Sequence, residues 1–166
     1  NKFTVNVFND SSDNLIISGK KEGIEKIKEL ASKVPAQWIL NKSQRQSIIL
    51  LEILLSKEPL KVSYFKGKFN VAMASISFDL DDIEIWLKKR RLALSRKKTY
   101  GIEVKGKSWN KRNAISDIFL DHKILDENLR FFYEDVLEDS YISLMYKVAF
   151  DEKKTKITKE ILRNLE

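Results

Sequence analysis

Hydrophobic residues alternate with polar ones at Phe3, Val5 and Val7, and an apolar run returns at Leu15-Ile16-Ile17 after the turn-forming stretch Asn9 to Asn14. A period of two on both sides of a turn predicts a β-hairpin. Beyond Gly19 the period changes. Ile24, Ile27, Leu30, Ala31 and Val34 recur at helical spacing until Pro35 interrupts them, which predicts a helix from about Lys21 to Val34. A second helix, Gln44 to Ser56, takes Ser43 as its N-cap and carries the run Ile48 to Leu55, apolar on nearly all sides except at Glu52. Such a helix belongs at the centre of a core.

Pro59 closes that segment, Val62 to Phe69 reads as a short helix weakened by Gly67, and Asn70-Val71 makes a turn. In the helix that starts near Ala72, the residues Ile76, Leu80, Ile83 and Leu87 form one stripe, with Trp86 beside it. Leu92, Leu94, Ile102 and Val104 then alternate on either side of Lys97-Lys98-Thr99-Tyr100-Gly101, as the two strands of a hairpin do. Short helix, tight turn, longer helix, hairpin is the order of a winged helix-turn-helix, a fold used mostly to hold DNA. From Ser108 the pattern is helical again, over Trp109 to Leu120, Ile124 to Leu137, Tyr141 to Phe150 and Ile157 to Leu165. The expected fold class is therefore mainly α with small β-hairpins, a winged helix-turn-helix followed by an all-α segment.

An internal echo shapes the domain division. Ile16 to Leu30 and Glu103 to Phe119 share one plan, an apolar strand end, a Gly-Lys turn and an amphipathic helix, with Gly19 and Gly106 in matching places. Residues 1–42 then read as the wing hairpin and linking helix of a preceding, truncated winged helix. Residues 43–106 read as a second copy, and 107–166 as a helical linker into the start of a further domain. The opening Asn1, which leads at once into a strand pattern, is read as part of a longer protein.

Composition narrows the function classes. No cysteine is present, which excludes disulfides and cysteine-ligated zinc, and the single His122 does not make a metal site alone. Neither a phosphate-cradling glycine loop nor metal-ligand spacing occurs, and the carboxylates sit on amphipathic helices where solvated faces are expected, so neither catalysis nor a cofactor is assigned. No apolar run approaches the ~20 residues that span a bilayer, and a cytoplasmic setting without membrane contact is expected. The net charge of +7 is unevenly spread: positions 88 to 113 hold eleven Lys or Arg against Glu103, whereas 121 to 141 hold seven acids and two bases. Double-stranded DNA is the partner such a basic segment implies, with binding rather than catalysis as the leading idea.

In a winged helix the start of the second helix of the pair faces the major groove. Here the candidates are Ala72, Met73, Ala74, Ser75, Ser77 and Phe78, and none of the Arg, Lys, Asn or Gln residues that discriminate bases occurs from Ala72 to Leu87. Affinity is then expected from phosphates, through a basic wing of Arg96, Lys97, Lys98 and Tyr100 supported by Lys61, Lys66 and Lys68. A rival use of the fold is protein–protein contact or dimerisation through Met73, Ala74 and Phe78.

These residues resemble a known family, the bacterial transcription activators of the mannitol-operon (MtlR) type, related to BglG and Mga, which contain phosphotransferase-system regulation domains (PRDs). The resemblance lies in Glu58-Pro59-Leu60, Phe69, Val71, Ile76, Asp79-Leu80, Trp86-Leu87, Arg96, Tyr100-Gly101-Ile102, Gly106 and Arg112. It implies tandem winged helices in a dimeric, sugar-responsive regulator. Phosphotransferase proteins would act on domains outside this sequence, and Asp151 to Glu166 is similar to the approach to the first of them. Where the family has a Ser-Arg-Ser-Thr-like start to its recognition helix, this chain has Ala72-Met73-Ala74-Ser75. Antitermination through RNA, as in the BglG relatives, would call for a small β RNA-binding domain that the sequence does not contain.

Overall fold

A computed structural model of the chain describes residues 5–9, 15–120, 141–150, 153 and 157. It is mainly helical, with two small antiparallel hairpins, and it divides into the units Asn1–Pro35 and Ala36–Glu166. In the first unit, β1 (Val5–Asn9) pairs with β2 (Leu15–Gly19) in a register running from Val5 opposite Gly19 to Asn9 opposite Leu15. Helix α1 (Lys21–Ser32) follows. It stops short of Val34 because the chain tightens there: Lys33 N donates to Leu30 O at 3.2 Å and Val34 N to Ala31 O at 3.1 Å, the three-residue bonds common at helix ends. Among the described residues of this unit only Gly23 is buried; Val7, Phe8, Ile16, Ile17 and Leu30 stay exposed.

The second unit opens with a 3-10 turn at Ala36–Trp38 and then α2 (Lys42–Leu55). The N-cap of α2 is Asn41, not Ser43. Asn41 Oδ1 accepts from Gln44 N at 2.9 Å while Gln44 Oε1 accepts from Asn41 N at 3.1 Å, and this reciprocal box satisfies two backbone donors where an isolated serine satisfies one. Ile48, Ile49, Leu50, Leu51, Ile53 and Leu54 are all buried, so α2 is the pillar of the core.

Around it stand α3 (Val62–Phe69) and α4 (Met73–Lys88), joined through Asn70 at φ 52°, a left-handed conformation that Asn tolerates better than most residues. The predicted stripe of Ile76, Leu80, Ile83 and Leu87 is buried against α2 and its neighbours. At the end of α4, Arg91 takes φ 58° and Leu92 N returns to Leu87 O at 3.1 Å, which turns the chain into β3 (Ala93–Lys97). β4 (Gly101–Lys105) pairs with β3 from Ala93 opposite Lys105 to Lys97 opposite Gly101.

Two further contacts fix this hairpin. Ile102 exchanges both backbone hydrogen bonds with Leu60, at 2.8 and 2.9 Å, and Ile102 and Val104 are buried in the core. Gly101 makes that approach possible: at φ 122° a Cβ there would lie 2.8 Å from the Leu60 carbonyl oxygen. After Gly106, α5 (Ser108–Phe119) and α6 (Tyr141–Ala149) place Ala114, Ile118, Ile142, Met145 and Tyr146 in the same buried cluster as α2. The helices expected over Ile124 to Leu137 and Ile157 to Leu165 lie outside the described residues, Ile157 excepted, as do His122 and most of the acidic segment. Among the described residues no helix is long and apolar enough to cross a membrane.

Candidate nucleic-acid interface

The start of α4 is exposed at Ala72, Met73, Ala74, Ser77 and Phe78, with Ser75 half-buried. Met73 keeps 43% and Phe78 66% of its surface open, so neither is taken into the core. No side chain caps the first turn, since Ala72 holds the N-cap position and its methyl group accepts nothing.

Asp79 is the departure from the expected solvated acidic face. It lies within the buried stripe and is wholly inaccessible. Arg45 of α2 neutralises it with a two-pronged contact, Nε to Oδ2 at 2.6 Å and Nη2 to Oδ1 at 3.2 Å, and Gln46 Nε2 adds a third donor at 3.3 Å. Removing Arg45 would leave a buried carboxylate without its counter-charge, a change that typically costs about 3–5 kcal/mol. The spacing carries the signal: Asp79 stands three residues after Ile76 and four before Ile83, on the apolar side, and Arg45 precedes Ile48 and Ile49 by three and four.

At the rim of the same contact, Lys42 Nζ meets Asp82 Oδ2 at 2.8 Å and Gln46 Nε2 donates to that oxygen at 2.9 Å. The hydrogen bond from Lys42, then the one from Gln46, hold the Asp82 carboxyl below the usual carboxylate range, and Asp82 in turn raises Lys42. Glu84 is held low chiefly by its hydrogen bond from Lys88, at 2.8 Å.

The expected basic wing divides into two groups. Arg96 is bound inside the molecule: Nη1 reaches Asp81 Oδ1 at 2.8 Å and Nη2 reaches Glu84 Oε2 at 3.1 Å, so it ties the hairpin to α4. Lys97, Lys98 and Tyr100 are exposed at the tip, with the Lys97 ammonium 5.8 Å from the Tyr100 ring centre. No carboxylate among the described residues pairs with Lys97 or Lys98.

The three supporting lysines also differ in their surroundings. Lys61 donates to the Thr99 carbonyl and so pins the hairpin turn to the start of α3. Lys68 pairs with Glu52 and lies 5.7 Å from the Tyr64 ring centre; Glu52 is nearly buried, and its Oε2 has no hydrogen-bond partner among the described residues. Burial, then the neighbouring Glu52 charge, push the Tyr64 phenol up. Lys66 is exposed, with no ion pair among the described residues.

Elsewhere in the basic segment, Arg90 is held by Asp117 at 2.7 Å and lies 3.4 Å from the Trp86 ring centre, and Lys105 pairs with Glu103 at 3.1 Å. Lys88, Arg90, Arg96 and Lys105 are thus neutralised within the molecule. Lys89, Arg91, Lys97, Lys98, Lys107, Lys111 and Arg112 are left with no ion-pair partner among the described residues. A count of charges weights all eleven cations alike, and the hairpin pattern groups Arg96 with Lys97 and Lys98, because the order of charges along a chain does not show which ones meet a carboxylate in space. Comparison with protein-family models, with curated proteins and with solved structures finds no match for this chain.

Proposed function

We propose that residues 43–106 act as a winged helix-turn-helix that holds double-stranded DNA by its phosphates, within a dimeric bacterial transcription regulator of sugar-transport or sugar-utilisation genes. The regulatory setting comes from the resemblance to the PRD-containing activators. The DNA reading rests on the β3–β4 tip, where Lys97, Lys98 and Tyr100 project unneutralised from a hairpin that the Leu60 bridge and Lys61 hold beside its turn. The order of α2, the Leu60 bridge, α3, α4 and the hairpin supports it, as does the uncapped first turn of α4, whose free amides suit a phosphate oxygen.

Binding of this kind works by counterion release, so it is strong at low salt and indifferent to most base changes. The exposed start of α4 offers only methyl, hydroxyl and aromatic groups, which discriminate bases weakly. The test is fluorescence anisotropy on a duplex across a salt series, for the chain and for a Lys97→Glu, Lys98→Glu variant. The log–log slope should fall by about 0.9 for each phosphate that the variant no longer neutralises. Absence of binding at low salt, or a slope untouched by the charge reversal, would overturn the reading.

The open Met73 and Phe78 favour a second reading, a protein-contact face on α4. Sedimentation of a Met73→Ser, Phe78→Ser variant separates the two. Abolished self-association with intact DNA affinity would move the function to that face.

A further inference from the structure

The unneutralised cations form two groups at opposite ends of the β3–β4 hairpin. One is the tip. The other is the corner where α4 ends and α5 begins. Asn110 Nδ2 donates to Arg91 O at 3.2 Å, and a Cβ on Gly106 would lie 3.3 Å from the same oxygen, so the Arg91 backbone is seated against the first turn of α5. Lys107 and Lys111 are one helical turn apart beside it, with Lys111 N bonded to Lys107 O at 3.1 Å. Arg112 stands 5.7 Å from the ring centre of Trp109, which is 63% exposed.

Three features of this corner point to a ligand. Arg91, Lys107, Lys111 and Arg112 stand on the two sides of this corner, and none of them has an ion-pair partner among the described residues. Arg91 occupies a left-handed position that glycine takes more readily, so a cation stands where the backbone alone would favour a smaller residue. The exposed indole of Trp109 has the Arg112 guanidinium 5.7 Å from its ring centre, and such a pairing suits nucleic acid, the cation on a phosphate and the aromatic face on a sugar or base.

We propose that the α4–α5 corner is a second backbone-binding surface, which engages the same DNA as the hairpin tip. Charge complementarity selects the occupant. β4 rises ~3.4 Å per residue, so its five residues set the two surfaces roughly 17 Å apart. Phosphates on one strand repeat every ~3.4 Å along the axis, so this distance corresponds to about five nucleotides. The hairpin then acts as a spacer between two grips, and Trp109 lies against the nucleic acid at the second one.

This inference rests on the DNA-binding reading above, and its test separates the two. Anisotropy is measured across salt with a duplex of about 20 base pairs, long enough at ~3.4 Å per step to cover both surfaces. The samples are the chain, the hairpin variant Lys97→Glu, Lys98→Glu and a corner variant Lys107→Gln, Lys111→Gln, Arg112→Gln, with thermal melting as the check on folding. The corner variant should reduce the slope by about 0.9 per phosphate released, in addition to the reduction from the hairpin. DNA should also quench tryptophan emission in the chain and not in Trp109→Phe.

A corner variant with the slope of the unchanged chain, together with quenching that survives Trp109→Phe, would overturn the second surface and leave the tip intact. Absence of binding by the unchanged chain at low salt would overturn both.

Discussion

The two hairpins of this molecule are alike in length, in antiparallel pairing and in the Gly-Lys step that leads into a helix, yet they are held in different ways. β3–β4 buries Ile102 and Val104, shares two backbone bonds with Leu60 and is tied to α4 through Arg96. β1–β2 leaves Val7, Phe8, Ile16 and Ile17 open, and no apolar residue described in its unit is buried. A two-stranded ribbon has one face to bury and is marginal without something to receive it. Strand pattern sets which residues alternate, while the presence of a helical core decides whether the alternation is used. The difference also favours β3–β4 over β1–β2 as a platform for gripping a ligand, because a tip is positioned only as well as the strands that carry it.

The largest expected separation comes from truncating one apolar residue in each hairpin. Ile102→Ala should destabilise the second unit by about 2–5 kcal/mol, as full burial implies, whereas Ile17→Ala, at a site 39% exposed, should change stability by about 1 kcal/mol or less. Urea unfolding of both variants checks this, and equal changes would remove the distinction. Gly101→Ala tests the Leu60 bridge. The left-handed backbone and the close carbonyl should together destabilise by about 2 kcal/mol and speed amide exchange at Ile102.

The smallest effect belongs to the polar ties. Arg96→Ala should lower stability by about 0.5 kcal/mol at low salt and less at high salt, since its partners are open to solvent. Acid should loosen the neighbouring ties as well. The Asp82 and Glu84 values are lowered in the folded chain, so their contribution is complete above the ordinary values of 3.8 and 4.5 and disappears as the pH falls through the lowered ones. A melting-temperature profile across that range reads the decline, and it should shrink in a variant with Asp82→Asn and Glu84→Gln.

Much of the second unit is legible in its periodicity. The stripe on α4, the central place of α2 and the alternation of Leu92, Ile102 and Val104 depend on residues near one another in sequence, and burial follows them. Polar residues are harder to read, because charge type alone says solvated surface. Asp79 and Glu52 become interior groups only when Arg45 and Lys68 arrive from another helix, and Arg96 is bound inward only because Asp81 and Glu84 face the hairpin. The cap at Asn41 is hidden behind Ser43 because Gln44, the second half of the box, reads as helix interior. Residues after Gly106 read as a linker, since nothing local in Ala114, Ile118 or Met145 says that they meet α2.

Arg96 also bears on how a salt titration is interpreted. Added ions weaken its bond to α4 while they compete for phosphate, so the same variable loosens one tie of the hairpin and depletes its grip. A slope measured on this molecule then counts one internal tether along with the phosphates, while the backbone bonds to Leu60, which carry no net charge for salt to screen, keep the hairpin seated throughout the titration.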